Sequence, residues 1–449
     1  MCRNAGDVRL FQYGSRVGRV AVHGGERDDA SRAESGQRHR AENGFPGPVR
    51  EDSGHRRAPC AQHGGSGPDL LRLPRAGPCP AGGAAARVRR DHLGTAMSTA
   101  ATPDPTTAAT AGSPHGAAGP GSAGGQSRQS ILTLTMNPTV DLCWEVGLLE
   151  DIGKNRARVR SVAAGGGGIN VARHVVRLGG RATAFHTAGG EVGLRLNRLL
   201  DEEGIDHVAV DIEDQTREAL VLFEAQSRRS YHIVPPGPHL HDHEGQQCLD
   251  ALARAVGSCP YVVASGSLPG GLPDDFYAAV ARRIREAGSR LVLDTSGPAL
   301  RGALAEGVFL FRCNRTEAES LTGQPVCGFD DARALNEHLL GTGAAEIAVT
   351  TLGELGALCS TGHGHTELYA PPLPGEALSD AGAGDSMVAA ITTQLASGVD
   401  PVSACALGVA VAAAAMLTPS TEPFDLDAAR SLRSQVRTRF QTDARRQDL

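Results

Sequence analysis

Gly382-Ala383-Gly384-Asp385 stands where a turn runs into the apolar stretch Ser386-Met387-Val388-Ala389-Ala390, and these residue types suit phosphoryl transfer. The first N–H groups of a helix have no intrahelical partner, and the macrodipole makes that end an anion site. Glycine at 382 and 384 lets the backbone close on a phosphate without a Cβ in the way. A carboxylate in the same turn repels phosphate, yet it is well placed to take a proton from an attacking hydroxyl. Asp385 is therefore the candidate base, and a simple helix cap is the alternative reading of the same residue.

Other polar residues gather at the ends of apolar runs. Asn314 and Glu317 lie one helical turn apart, a spacing that fits a Mg²⁺ site and a reciprocal helix cap alike. Gly165-Gly166-Gly167-Gly168 opens a helix and presents bare backbone, and Asn170 behind it offers donors and an acceptor to sugar hydroxyls. Asp141 follows the strand Ile131–Met136, and Asp294-Thr295-Ser296-Gly297 places polar groups at another strand's end, the edge where open α/β sheets bind ligands. Lys154 is the single lysine among 44 Lys and Arg residues, which favours a role that an ammonium fills better than a guanidinium. His239, His241 and His243 read as a solvated loop ahead of a metal site.

The elements that position these residues begin at Ser130. Residues 1–129 lack a hydrophobic period and read as a disordered leader and linker, with Met97 the expected translation start; 438–449 read as a disordered tail. Between them strands and helices alternate, interrupted by a hairpin near 218–234 that stands apart as a lid. The apolar run 402–417 is too short for a confident membrane span, and the first residues carry no apolar signal region. Ten cysteines without CxxC spacing suit a reduced, cytoplasmic protein. A net charge of -6 argues against general nucleic-acid binding. A dinucleotide site is disfavoured, because Asn170 stands where the third fingerprint glycine belongs, and Gly153-Lys154-Asn155 is not a Walker loop.

The order of motifs resembles the ribokinase-like (PfkB) carbohydrate kinases, in their phosphofructokinase branch. The resemblance is carried over about 130–437 by Thr133-Leu134-Thr135-Met136-Asn137-Pro138-Thr139-Val140-Asp141, Gly165–Arg173, Thr216-Arg217, Ser265-Gly266-Ser267-Leu268-Pro269, Asn314-Arg315-Thr316-Glu317 and Gly382–Met387. It implies an α/β fold, an αβα sandwich with a small β-sheet lid. It implies Asp385 as base, the N–H groups of Gly382, Ala383 and Gly384 as anion hole, and Mg²⁺ organised by Asn314 and Glu317. Thr351, Gly353, Gly356, Arg312 and Asn314 would meet ATP. Asp141, Gly166, Gly167, Asn170 and Ser267 would meet the sugar, and Lys154 and Arg217 the phosphate already on it.

The Gly-Gly-Gly-Gly-Ile-Asn run is similar to the minor 6-phosphofructokinase type. The implied substrate is fructose 6-phosphate, ahead of fructose 1-phosphate and tagatose 6-phosphate, and a homodimer through the lid is implied as well. A catalytically silent sugar-phosphate sensor is the reading from another class. Two departures stand out: Arg312-Cys313-Asn314 replaces the family's Lys-Pro-Asn, and His232 occupies a lid position that carries Arg in the 6-phosphofructokinase type.

Overall fold

The computed structural model describes residues 130–257, 259–418 and 423–441. The expectations for 1–129, Met97 included, lie outside them. β1 (Ser130–Thr135) is followed by β2 (Thr139–Val146), β3 (Arg158–Gly165), α1 (Gly167–Arg177), β4 (Arg181–Gly189), α2 (Gly190–Glu202) and β5 (Asp206–Ile212). The hairpin β6 (Arg217–Glu224) and β7 (Arg229–Ile233) comes next. Then α3 (Asp242–Val256), β8 (Tyr261–Ser265), α4 (Phe276–Glu286), β9 (Arg290–Asp294), α5 (Pro298–Glu306), β10 (Val308–Asn314), α6 (Arg315–Thr322), α7 (Phe329–Gly341) and β11 (Ala345–Thr351) alternate. β12 (Gly356–Thr361), β13 (Gly364–Tyr369), α8 (Ala383–Ala396), α9 (Pro401–Ala415), α10 (Leu426–Arg433) and β14 (Arg437–Gln441) complete the described chain.

Ten strands form one sheet in the order β14-β13-β12-β11-β10-β9-β8-β1-β4-β5. From β11 to β5 every pairing is parallel, and β12, β13 and β14 add an antiparallel edge. Strand alternation sends side chains into two cores: on β8, Tyr261 and Val263 pack with α1, α8 and α9, whereas Val262 and Ala264 pack with α3 and α4. Helices thus cover both faces, as a largely parallel sheet requires. β1 has β8 on one side and β4 on the other, so its carboxyl end is a topological switch point, where such sheets bind ligands. α8 and α9 approach closely at Gly408, where a Cβ would meet Met387 and Ile391.

Two elements differ from the sequence expectation. The lid hairpin is half of a four-stranded sheet, β3-β2-β6-β7. Asp141 lies within β2, opposite Ala163 of β3 and Ala219 of β6, and not at the end of β1. Asn137-Pro138 breaks β1, but the chain restarts as a strand at once, and over Thr139–Val146 the apolar Val140, Leu142, Trp144 and Val146 alternate with Thr139, Asp141, Cys143 and Glu145. Residues 438–441, expected as tail, belong to β14, which pairs with β13 from Tyr369↔Arg437 to His365↔Gln441. Its side chains are mostly exposed, so no hydrophobic period marks it; backbone pairing and the stacking of Arg437 on Tyr369 hold it. Free Cys248, Cys313, Cys359 and Cys405 are buried as small core residues. Among the described residues no helix is long and apolar enough to cross a membrane.

Candidate active site

α8 starts after Gly382, whose φ of 76° is left-handed and suits glycine. Asp385 falls in the first turn and is half-buried. Asn170 of α1 donates Nδ2–H to Asp385 Oδ2 at 3.0 Å, and Ser265 at the end of β8 donates Oγ–H to Oδ1 at 3.2 Å. A carboxylate merely capping α8 would bond its own helix; this one is held from two other elements. Burial and then the nearby Asp294 carboxylate push its pKa from 3.8 up to about 7, against the hydrogen bonds of Asn170 and Ser265 and the charge of Arg312.

Asp385 opens on a cavity of about 300 Å³ walled by Gly167, Ser265, Asp294, Arg312, Glu317 and Gly384, among others. Arg312 donates to Asp294 Oδ1 at 3.1 Å and to Thr351 Oγ1 at 3.1 Å. Its side chain is 11% exposed and that of Asp294 8%. Burial opposes the Arg312 charge, but the carboxylates of Asp294 and Glu317 raise its pKa further. A Cβ on Gly384 would come within 2.8 Å of the guanidinium, so the cation lies directly on the α8 turn. Arg312 Nε is buried and makes no hydrogen bond within the protein. A fixed cation, the N-terminal end of α8, where the Ala383 N–H already donates to Asp380 O at 3.2 Å, and a carboxylate raised toward neutrality can hold a phosphoryl group and accept a proton beside it.

Asn314 and Glu317 form the reciprocal cap of α6: Glu317 N–H donates to Asn314 Oδ1 at 2.9 Å, and Asn314 N–H to Glu317 Oε2 at 2.7 Å. Glu317 also lines the cavity, and burial followed by Asp294 raises its pKa. Among the described residues, no three His, Cys, Asp or Glu side chains converge as a metal cage. A Mg²⁺ that keeps its waters and takes most ligands from phosphate oxygens still fits Glu317. The histidine loop begins α3 instead: His241 N–H donates to Glu244 Oε2 at 2.7 Å.

The glycine run is closely packed against the protein itself. The space a Cβ would take is filled by Asp141 at Gly165, by Thr135 at Gly166, by Ser265 at Gly167 and by Leu134 at Gly168. Of these, Gly167 lines the cavity. Asn170 is buried and committed to the protein, since its Oδ1 accepts from Arg173 at 2.8 Å. Asp141 is half-buried, with a pKa pushed up by burial to about 6, against Arg173, Thr139 and Arg217. Arg217 donates to Asn137 O at 3.0 Å beneath the lid. Ser267 lines the cavity and accepts from Asn137 Nδ2 at 3.3 Å.

The structure does not bring every candidate in. Lys154 is exposed in the connection between β2 and β3 and is not part of the cavity wall. Gly353 (φ 63°) opens the 3-10 turn Gly353–Leu355, and Gly356 (φ 114°) starts β12 where a Cβ would strike Leu368 O; neither lines the cavity. Ser265, Asp294 and Arg173 join the site without having been singled out for a role. Asp294 is visible in the sequence as a polar strand end; its pairing with Arg312 follows from β9 and β10 being adjacent parallel strands.

Residues 134–428 match the family described as pfkB family carbohydrate kinase. The chain is 39% identical over 302 residues to the ATP-dependent 6-phosphofructokinase isozyme 2 of Mycobacterium tuberculosis, covering 67% of this chain and 88% of that protein. It is 35% identical over 292 residues to the Escherichia coli protein of the same name, covering 65% and 94%. Phosphofructokinase-2 from Escherichia coli, solved with potassium, superposes with a TM-score of 0.65 at 33% identity, over 68% of this chain and 98% of that one. The same enzyme solved with fructose-6-phosphate gives 0.63 at 32% identity and the same coverage. The chain belongs to the pfkB family of carbohydrate kinases, phosphotransferases whose acceptor is an alcohol group.

Proposed function

We propose that the chain transfers the γ-phosphoryl group of ATP to a hydroxyl of a ketohexose phosphate, fructose 6-phosphate in the first place, giving fructose 1,6-bisphosphate. The observation that carries this reading is Asp385, held by Asn170 and Ser265 at the first turn of α8 against a cavity walled by Arg312. Asp385 takes the acceptor's hydroxyl proton. The N–H groups of Gly382, Ala383 and Gly384, with the guanidinium of Arg312, receive the charge on the transferring group. Glu317 is the residue positioned to hold Mg²⁺, which when bound neutralises phosphate charge. Asp141 and Ser267 orient the sugar, and Arg217 and Lys154 meet its phosphate.

The choice of sugar is supported by relatives named 6-phosphofructokinase and by a neighbour solved with fructose-6-phosphate. Fructose 1-phosphate and tagatose 6-phosphate are the alternative acceptors. The exposed Leu148, Ile152, Val159 and Ile233 on and beside the lid support self-association there; the Escherichia coli neighbour is described in a tetrameric inhibited form. A silent sensor has no use for a carboxylate whose pKa is tuned to about 7.

The test is ADP release from the full chain with Mg-ATP, offered fructose 6-phosphate, fructose 1-phosphate, tagatose 6-phosphate and free fructose. Preference for fructose 6-phosphate is expected. Turnover of free fructose alone would remove Lys154 and Arg217 from the substrate set, and sugar-phosphate binding without turnover would install the sensor.

A further inference from the structure

We infer that Arg173 is a positioning residue for this reaction, fixing the amide of Asn170 so that its N–H, and not its carbonyl, faces Asp385. The inference rests on Asp385 being the base. Asn170 is 6% exposed and lies between two charged groups: Oδ1 accepts from Arg173 at 2.8 Å, and Nδ2 donates to Asp385 Oδ2 at 3.0 Å. The two ends of an asparagine amide have nearly the same shape, so packing alone does not decide which end points where; the hydrogen bonds do. A half-turn would set the carbonyl oxygen against the carboxylate. Arg173 prevents it, because a guanidinium only donates.

Arg173 can impose this orientation because it is itself clamped. Nε and one terminal nitrogen donate to the Glu203 carboxylate at 2.5 and 2.9 Å, and that nitrogen also donates to Ala164 O at 2.5 Å. The planar fork is thereby spent on a single geometry, which a lysine does not reproduce. The same cation faces a second carboxylate of the site: after burial, Arg173 is the largest influence on Asp141 and keeps it from rising further. One side chain on α1 therefore sets the base's hydrogen bond and sustains the charge of the sugar-binding acid.

The groups facing Asp385 are Asn170 from α1, Ser265 from β8, Asp294 from β9 and Arg312 from β10. Those facing Asp141 are Arg173, Arg217 and Thr139. Losing the Asn170 donor removes an influence that lowers the Asp385 pKa, so the acid limb of kcat moves to higher pH. Losing the Arg173 charge raises Asp141, so KM for the sugar phosphate rises on the acid side.

The experiment is a pH–rate profile of Arg173→Met in the full chain with Mg-ATP and fructose 6-phosphate. We expect the kcat limb to move up by about half a pH unit or more, with most of kcat recovered in alkali. In an Asn170→Ala background the same substitution should leave that limb where it is, since Arg173 acts through the amide. If Arg173→Met does not fold, Glu203→Gln loosens the clamp and should move the limb the same way by less. A limb that is present in the parent chain and unmoved in the folded variants overturns this inference alone. A parent profile with no acid limb, or turnover that survives Asp385→Asn, overturns the base assignment and this inference with it.

Discussion

The floor of the cavity and the lid above it are built on opposite terms. On the floor Asp385, Asp294 and Arg312 are each tied to a neighbour by hydrogen bonds of 3.0–3.2 Å. On the lid Lys154 and His232 stand exposed. The groups assigned to the chemistry are thus arranged before substrate arrives, as are Arg217 and Ser267 among those assigned to recognition, whereas Lys154 must be collected by the substrate. Preorganised charge accelerates a reaction because nothing has to reorganise as the transition state forms, while exposed charges act on encounter and recognition.

The sharpest way to break this contrast is Asp385→Asn. The floor should lose roughly 10³-fold in kcat with fructose 6-phosphate binding retained, measured by ADP release and by calorimetric titration. Survival of turnover would show that the floor is scaffold, not machinery. Next in size is Arg312→Met, which leaves Asp294 buried without its cation. It should destabilise the fold by about 3–5 kcal/mol in urea unfolding. It should also lower kcat/KM for ATP by roughly 10²-fold. Arg312→Lys, with one point charge for a fork bonded to both Asp294 and Thr351, should recover only part of either loss.

The lid should answer differently. Lys154→Met should raise KM for fructose 6-phosphate by roughly 10-fold or more, the worth of one charge-assisted hydrogen bond, with kcat little changed. Steady-state kinetics would separate the two parameters. A fall in kcat with KM unmoved would mean that Lys154 acts on the transition state and that the lid, too, does chemistry.

The two regions were not equally legible in the sequence. Gly382–Asp385 and Asn314–Glu317 are local patterns, a turn and a helical spacing, and the fold realises both where the spacing puts them. What the sequence did not disclose is pairing across elements. Asn170 and Asp385 are 215 residues apart, and only the packing of α1 beside α8 joins them. Arg312 and Asp294 meet because β9 and β10 are neighbours, a fact of sheet order. β2 carries an alternation of its own in Val140, Leu142, Trp144 and Val146, but Asn137-Pro138 ahead of it reads as the end of a strand, and this misplaced Asp141 as a strand end of the main sheet. The glycines from the end of β3 into α1 were legible as a close approach, and among what approaches them are the protein's own Asp141, Thr135, Ser265 and Leu134.

The smallest predicted effect tests whether prearrangement has a thermodynamic price. Burial and Asp294 raise the folded-state pKa of Asp385 to about 7 from 3.8, so the folded chain holds a proton that the unfolded chain releases earlier. The sign follows: well below pH 3.8 both states are protonated and Asp385 contributes nothing, and stability falls as pH rises from 3.8 to about 7 and is level above it. Asp385→Asn removes the ionisation, so its Tm should exceed that of the parent chain by roughly 5 °C at pH 8, with that gain absent at pH 4. Lys154→Met, at an exposed position, should leave Tm unchanged at both pH values. A Tm difference for Asp385→Asn that stayed constant from pH 4 to pH 8 would mean that this carboxylate titrates as an ordinary one, and that the floor is no more strained than the lid.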